Sequence, residues 1–251
     1  MTDPLFEYLL RQGDNALVLG HRVSEWCGMA PAIEEDIALA NIGLDLIGQT
    51  QMWLGYAAEV EGKGRDADAL AFRRDVWDFR NLLLVEQTNR DFGKTLMRQF
   101  LFDAFNVLNL TALTKSSDPR IAEIAAKTVK EAEYHLERSR ETVIALGDGT
   151  EESNARMQKA LTTLWPFAGE MFVMDDVDSA MVDMGIAPDL AALRKEWDAI
   201  VLPALSSAML TVPDSDFAHK GGKNGVRHSE HLGHMLATMQ YLQRAYPDAR
   251  W

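Results

Sequence analysis

A single cysteine, Cys27, stands in this chain of 251 residues, so no intrachain disulfide can form and a site built from several thiolates is excluded. Cations are also in short supply: 25 Lys and Arg face 38 Asp and Glu, a net charge of −13. Recognition of nucleic acid or of an anionic membrane through a basic surface is therefore not expected, although a local basic patch could still hold an anionic ligand. No stretch approaches ~18 uninterrupted apolar residues, which leaves no transmembrane span. The opening "MTDPLFEYLLRQGDN" lacks the basic start and apolar core of a signal peptide. The expected setting is a soluble, cytoplasmic protein.

Helical periodicity is abundant. Apolar residues make up 47% of the chain and recur at three- and four-residue steps almost throughout, while alternating runs are scarce. Pro and Gly clusters such as "GMAP", "SSDP", "GDGTEES" and "MGIAPD" separate these stretches. The pattern predicts helices over 4–28, 33–61, 67–86, 90–116, 119–146, 152–184, 189–210 and 228–245, with an irregular segment over 211–229. Long helices on short connections predict an all-α, antiparallel helical bundle, read as one domain over 1–251.

Bundles of this kind can hold a carboxylate-bridged metal pair. Two helices then supply a carboxylate each, and two more supply a Glu-x-x-His whose spacing places both side chains on one face. "KEAEYHLERS" (130–139) comes close to that motif, but Ala132 stands three residues before His135, flanked by Glu131 and Glu133. No Glu-x-x-His occurs anywhere in the sequence. Glu131 and His135, four apart, share one helical face, a spacing that can serve a metal but more often makes an ordinary helix pair or a buried hydrogen bond. Asp36, Asn41, Asp45 and Gln49 interrupt the apolar second helix and are expected in a buried hydrogen-bonded network.

His228, His231 and His234 recur at three-residue steps beside Glu230, which wraps them partly around a helix rather than onto one ion. Lys220, Lys223 and Arg227 lie on a glycine-rich stretch before that helix, a place where an anion or a partner's carboxylates could bind, although P-loop spacing is missing. Neither a nucleophile elbow nor a dinucleotide fingerprint is present. Cys27 at a helix end is read as an inert small residue. Trp26, Trp53, Trp77, Trp165 and Trp197 are expected on helices as packing residues.

Several ordered blocks resemble one family: "LRQGDNALVLGHRVSEWCG", "DIALANIGLDLIGQ", "NLLLVEQ", "KEAEYHLERS", "LTVP" and "GGKNGVRHSEHLGHMLATMQYLQRAYP". They resemble the PaaC-type family of non-catalytic, ferritin-like subunits of the ring 1,2-phenylacetyl-CoA epoxidase, along essentially the whole chain. The resemblance implies a ferritin-like bundle with additional helices and a place in phenylacetate catabolism. It also implies a working complex with a related PaaA-like catalytic subunit that holds the di-iron centre, a small PaaB-like subunit and a reductase. Homo-oligomerisation of the isolated chain stays open beside that pairing.

Carried over residue by residue, the catalytic subunit's metal ligands fall on Ala16, on Leu46 and Gln49, on Asp103, and on Ala132 and His135. A register using Asp45 would give Asp-x-x-Gly, still without the histidine. Only Asp103 and His135 keep metal-binding side chains, so the resemblance implies a vestigial site, no metal and no cofactor in this chain. Asp103 and His135 would then belong to a polar network. A structural subunit of this kind is expected to expose an apolar helix face when isolated. The alternative is a di-metal oxidase or metal-binding bundle in its own right.

Overall fold

The structure, a computed structural model, describes residues 3–215 and 217–249. Its helices are α1 (Pro4–Ser24), α2 (Ile33–Glu61), α3 (Ala67–Phe72), α4 (Phe92–Leu113), α5 (Pro119–Gly147), α6 (Glu151–Ala168), α7 (Asp176–Asp183), α8 (Leu190–Ser207), α9 (Glu230–Met239) and α10 (Tyr241–Ala245). Short 3₁₀ turns occupy Val76–Asp78 and Gly169–Phe172, and no strand occurs among the described residues. The chain is an all-α, ferritin-like helical bundle protein. Among the described residues no helix is long and apolar enough to cross a membrane.

Much of the acidic surplus has a local use at helix starts. Asp3, Asp66, Asp91, Asp118, Asp175 and Asp189 each precede a helix and accept a hydrogen bond from a backbone N–H of its first turn. Pro4 and Pro119 follow two of these caps, at the position where a missing N–H removes nothing. "SSDP" is therefore both the stop of α4 and the start signal of α5.

The described residues divide into two compact units, one drawn from 3–29, 36–87 and 220–249, the other from 30–35 and 88–219. In the first, α1 and α2 run antiparallel at close range. A Cβ on Gly13 would meet Leu54 Cδ2 at 2.5 Å, one on Gly20 would meet Leu46 Cβ at 3.2 Å, and one on Gly43 would meet Ser24 Oγ at 2.8 Å. The α1 numbers rise as the α2 numbers fall, which fixes the direction. Glycine suits this close approach, because a Cβ at these positions would require the facing side chains to shift.

The helix predicted over 67–86 is shorter, ending at Phe72. Beyond it, tertiary hydrogen bonds replace helical ones: Arg80 N–H donates to Asp14 Oδ2 (2.8 Å), Leu82 N–H to Asn15 Oδ1 (2.8 Å) and Arg22 Nε to the Glu86 carbonyl (3.2 Å). Leu82, Leu83, Leu84 and Val85 are all buried. A run buried on every side has no periodicity to report.

In the second unit α4 is central, with α5, α6 and α8 packed around it. Every residue from Thr95 to Asn106 is buried. Trp197 donates its indole N–H to the Leu101 carbonyl (3.0 Å) and meets Trp165 and Phe172 at ring-centroid distances of 5.7 and 5.4 Å. The helix predicted over 152–184 breaks at Gly169, where a Cβ would lie 2.6 Å from Ala218 Cβ, and restarts at the Asp175–Asp178 capping box. The helix predicted over 228–245 starts at Glu230 and breaks at Gln240, whose amide donates to the Ala71 and Arg74 carbonyls (3.0 Å each).

Candidate functional site

Ala16, Leu46 and Gln49 are buried in the first unit, and Asp103, Ala132 and His135 are buried in the second. On α5, Thr128, Ala132, His135 and Ser139 follow at four-, three- and four-residue steps, all buried, so they line one face. Asp103 on α4 meets this face. Ser139 donates its hydroxyl to Asp103 Oδ2 (2.8 Å), and Gln99 donates its amide to Oδ1 (2.9 Å). Burial pushes the Asp103 carboxyl up to about 6, while the His135 charge, the Ser139 and Gln99 hydrogen bonds and Arg138 draw it back down.

A di-iron centre does not fit these residues. Both Asp103 oxygens already accept hydrogen bonds, and Ala16, Leu46 and Ala132 offer no donor atom. Among the described residues no three His, Cys, Asp or Glu side chains converge. Glu133 is exposed, and Glu131 is half-buried one turn before His135.

The expected four-residue network on α2 is not uniformly buried. Gln49 is buried, Asp36 and Asp45 are half-buried, and Asn41 is exposed. Nor do the three histidines share one helix. His228 precedes α9, with Nδ1 at 2.9 Å from Glu86 Oε2 and Nε2 at 3.2 Å from the Phe79 carbonyl. The two ring nitrogens face a carboxylate oxygen and a backbone carbonyl, so the ring is held from both sides. Glu86 is fully buried and also accepts from Ser229 N–H (2.5 Å) and the Asn81 amide (3.2 Å). Nothing in the sequence ties Glu86 to His228, because the pair closes over 142 residues.

The cationic stretch separates as well. Lys220 and Arg227 are exposed, whereas Lys223 is buried. Its glycines fit close packing: a Cβ on Gly222 would lie 2.5 Å from the Asn81 carbonyl oxygen and 2.9 Å from Leu83 N. Trp53, Trp165 and Trp197 are core residues as expected, but Trp77 is exposed in a 3₁₀ turn and Trp26 lies in the turn after α1. Cys27, in the same turn, is exposed.

An apolar row on α2 is exposed; the resemblance leads one to expect an open apolar helix face, but the sequence reading does not say on which helix. Ile37, Leu44 and Ile47 are 56%, 66% and 38% exposed. With Ala40 and Gln51 they step along the helix by three, four, three and four residues. The spacing stands in the sequence, but the polar residues beside it and the equally apolar buried face mask it.

Residues 1–251 match the phenylacetic acid catabolic protein family. A protein of Escherichia coli (strain K12), named as one of the subunits of 1,2-phenylacetyl-CoA epoxidase, is 51% identical over 247 residues, which cover 98% of this chain and 99% of the relative. The chain therefore belongs to the phenylacetic acid catabolic protein family.

Proposed function

We propose that this chain is the non-catalytic, structural subunit of a multicomponent di-iron monooxygenase that epoxidises the ring of phenylacetyl-CoA. In this reading it acts in the cytoplasm, pairs with a PaaA-like catalytic subunit that holds the iron, and stabilises that subunit within an assembly completed by a small PaaB-like subunit and a reductase. The observation that carries the reading is the near full-length similarity to a protein named as a subunit of that epoxidase. Two features of the chain support it: a donor set that does not fit a metal pair, and an apolar helix face open to solvent.

The alternative, a di-metal oxidase or metal-binding bundle in its own right, finds no donor atom at Ala16, Leu46 and Ala132, where the resemblance aligns the ligands. Co-expression with the catalytic subunit tests the choice. The two chains should co-purify, and the chain purified alone with iron supplied should hold less than about a tenth of an iron. Two irons in the isolated chain would overturn the reading. Within it, Lys220, Lys223 and Arg227 form an anion-binding contact to the catalytic subunit or to the coenzyme A phosphates; Lys220 and Arg227 are exposed and Lys223 is buried. Charge reversal at Lys220 and Arg227 should weaken assembly or substrate affinity; no effect on either would remove that contact.

A further inference from the structure

α2 has two apolar faces and only one of them is covered. Leu39, Ile42, Leu46, Trp53, Leu54 and Ala57 are buried. The opposite side presents Ile37, Ala40, Leu44, Ile47 and Gln51, whose steps of three and four residues form the narrow seam that a second helix packs against at a shallow angle. A helix apolar on both sides is suited to an interior position, not to solvent. Beside the seam, a Cβ on Gly48 or Gly55 would meet nothing within 4 Å, so an approaching backbone could come close.

Charge selects the occupant. The 29 residues of α2 contain no Lys, Arg or His but carry Glu34, Glu35, Asp36, Asp45, Glu59 and Glu61. Glu35 is paired with Arg138, and Glu61 with Arg65 and Lys63. Glu34 and Glu59, near the two ends of the helix, are exposed and form no ion pair among the described residues. A second copy laid antiparallel along the seam would bring the Glu34 end against the Glu59 end, like charge on like. A different chain with an apolar seam of its own, flanked by Lys or Arg, meets both requirements.

We infer that the outer face of α2, centred on Ile37, Leu44 and Ile47, is the docking seam for a cation-flanked helix of the catalytic subunit. The inference rests on the pairing proposed above. It is tested by titrating the intact chain with the purified catalytic subunit. The Ile37→Glu/Leu44→Glu variant should keep its circular dichroism and melting temperature, because both side chains are exposed, yet bind at least about 30-fold more weakly. Gly48→Leu, which adds bulk in open space and favours the helix, should weaken binding without any added charge.

If both variants bind within about threefold of the parent, a margin well inside hot-spot losses, the seam assignment is overturned while the pairing stands. If the parent chain fails to bind the catalytic subunit at all, the proposed function falls and the seam assignment falls with it. If the isolated chain is a dimer that Leu44→Glu disperses, with heteromeric affinity unchanged, the occupant is a second copy and the assignment is likewise overturned.

Discussion

Asp103 carries the clearest consequence of burying a charge on an otherwise apolar helix. Its carboxyl titrates near 6 in the folded chain against an ordinary 3.8, mainly because burial disfavours the charged form. The folded state therefore keeps a proton that the unfolded chain gives up. The contribution to stability is complete below the ordinary value and is lost as pH rises through the folded one, a swing of about 3 kcal/mol. Asp103→Asn should flatten the denaturant-derived stability between pH 4 and 7 and raise it at pH 7. Ser139 can rotate its hydroxyl toward the Leu136 carbonyl, 3.3 Å away, and accept from the new amide. Glu86 is a second buried carboxyl, held by the His228 ring at 2.9 Å, Ser229 N–H and the Asn81 amide. His228→Ala removes one of these partners from a fully buried group and should cost roughly 1–3 kcal/mol, read by chemical denaturation.

At the scale of elements, close backbone approach decides what the fold tolerates. Gly222→Ala would press a methyl group against the Asn81 carbonyl and Leu83 N, backbone atoms that cannot swing aside. A loss of about 1–3 kcal/mol in thermal or denaturant unfolding is expected, the usual scale of overpacking. Helices with a cap and one wet face are legible in the sequence, and so is α2, whose bounds match those expected although both its faces are apolar. α5 begins at Asp118–Pro119, runs on an amphipathic stripe and ends within one residue of expectation. Segments whose order comes from distant partners are not legible. Leu82–Val85 is as apolar as a helix core, and the backbone is held by Asn15 at Leu82 and by Arg22 at the following Glu86. Gln240 breaks the last helix by binding the end of α3, some 166 residues earlier in the chain. Asp103 and His135 are legible as candidates because the resemblance marks their positions. The hydrogen bonds that Asp103 accepts from Gln99 and Ser139 are not, since neither partner belongs to the metal pattern.

For the molecule as a whole, a charge of −13 and an apolar seam on a cation-free helix set the terms of association. Encounter with a cation-flanked partner should be fast at low salt, and its rate should fall as ionic strength rises, as stopped-flow mixing would show. An obligate pairing should bury more than about 2,000 Å². The lone thiol becomes useful at this scale. Cys27 is exposed and is the chain's one cysteine, so a maleimide dye attaches once per molecule without any engineered site. Each copy in an assembled particle then carries one fluorophore, and the number of photobleaching steps counts the copies directly.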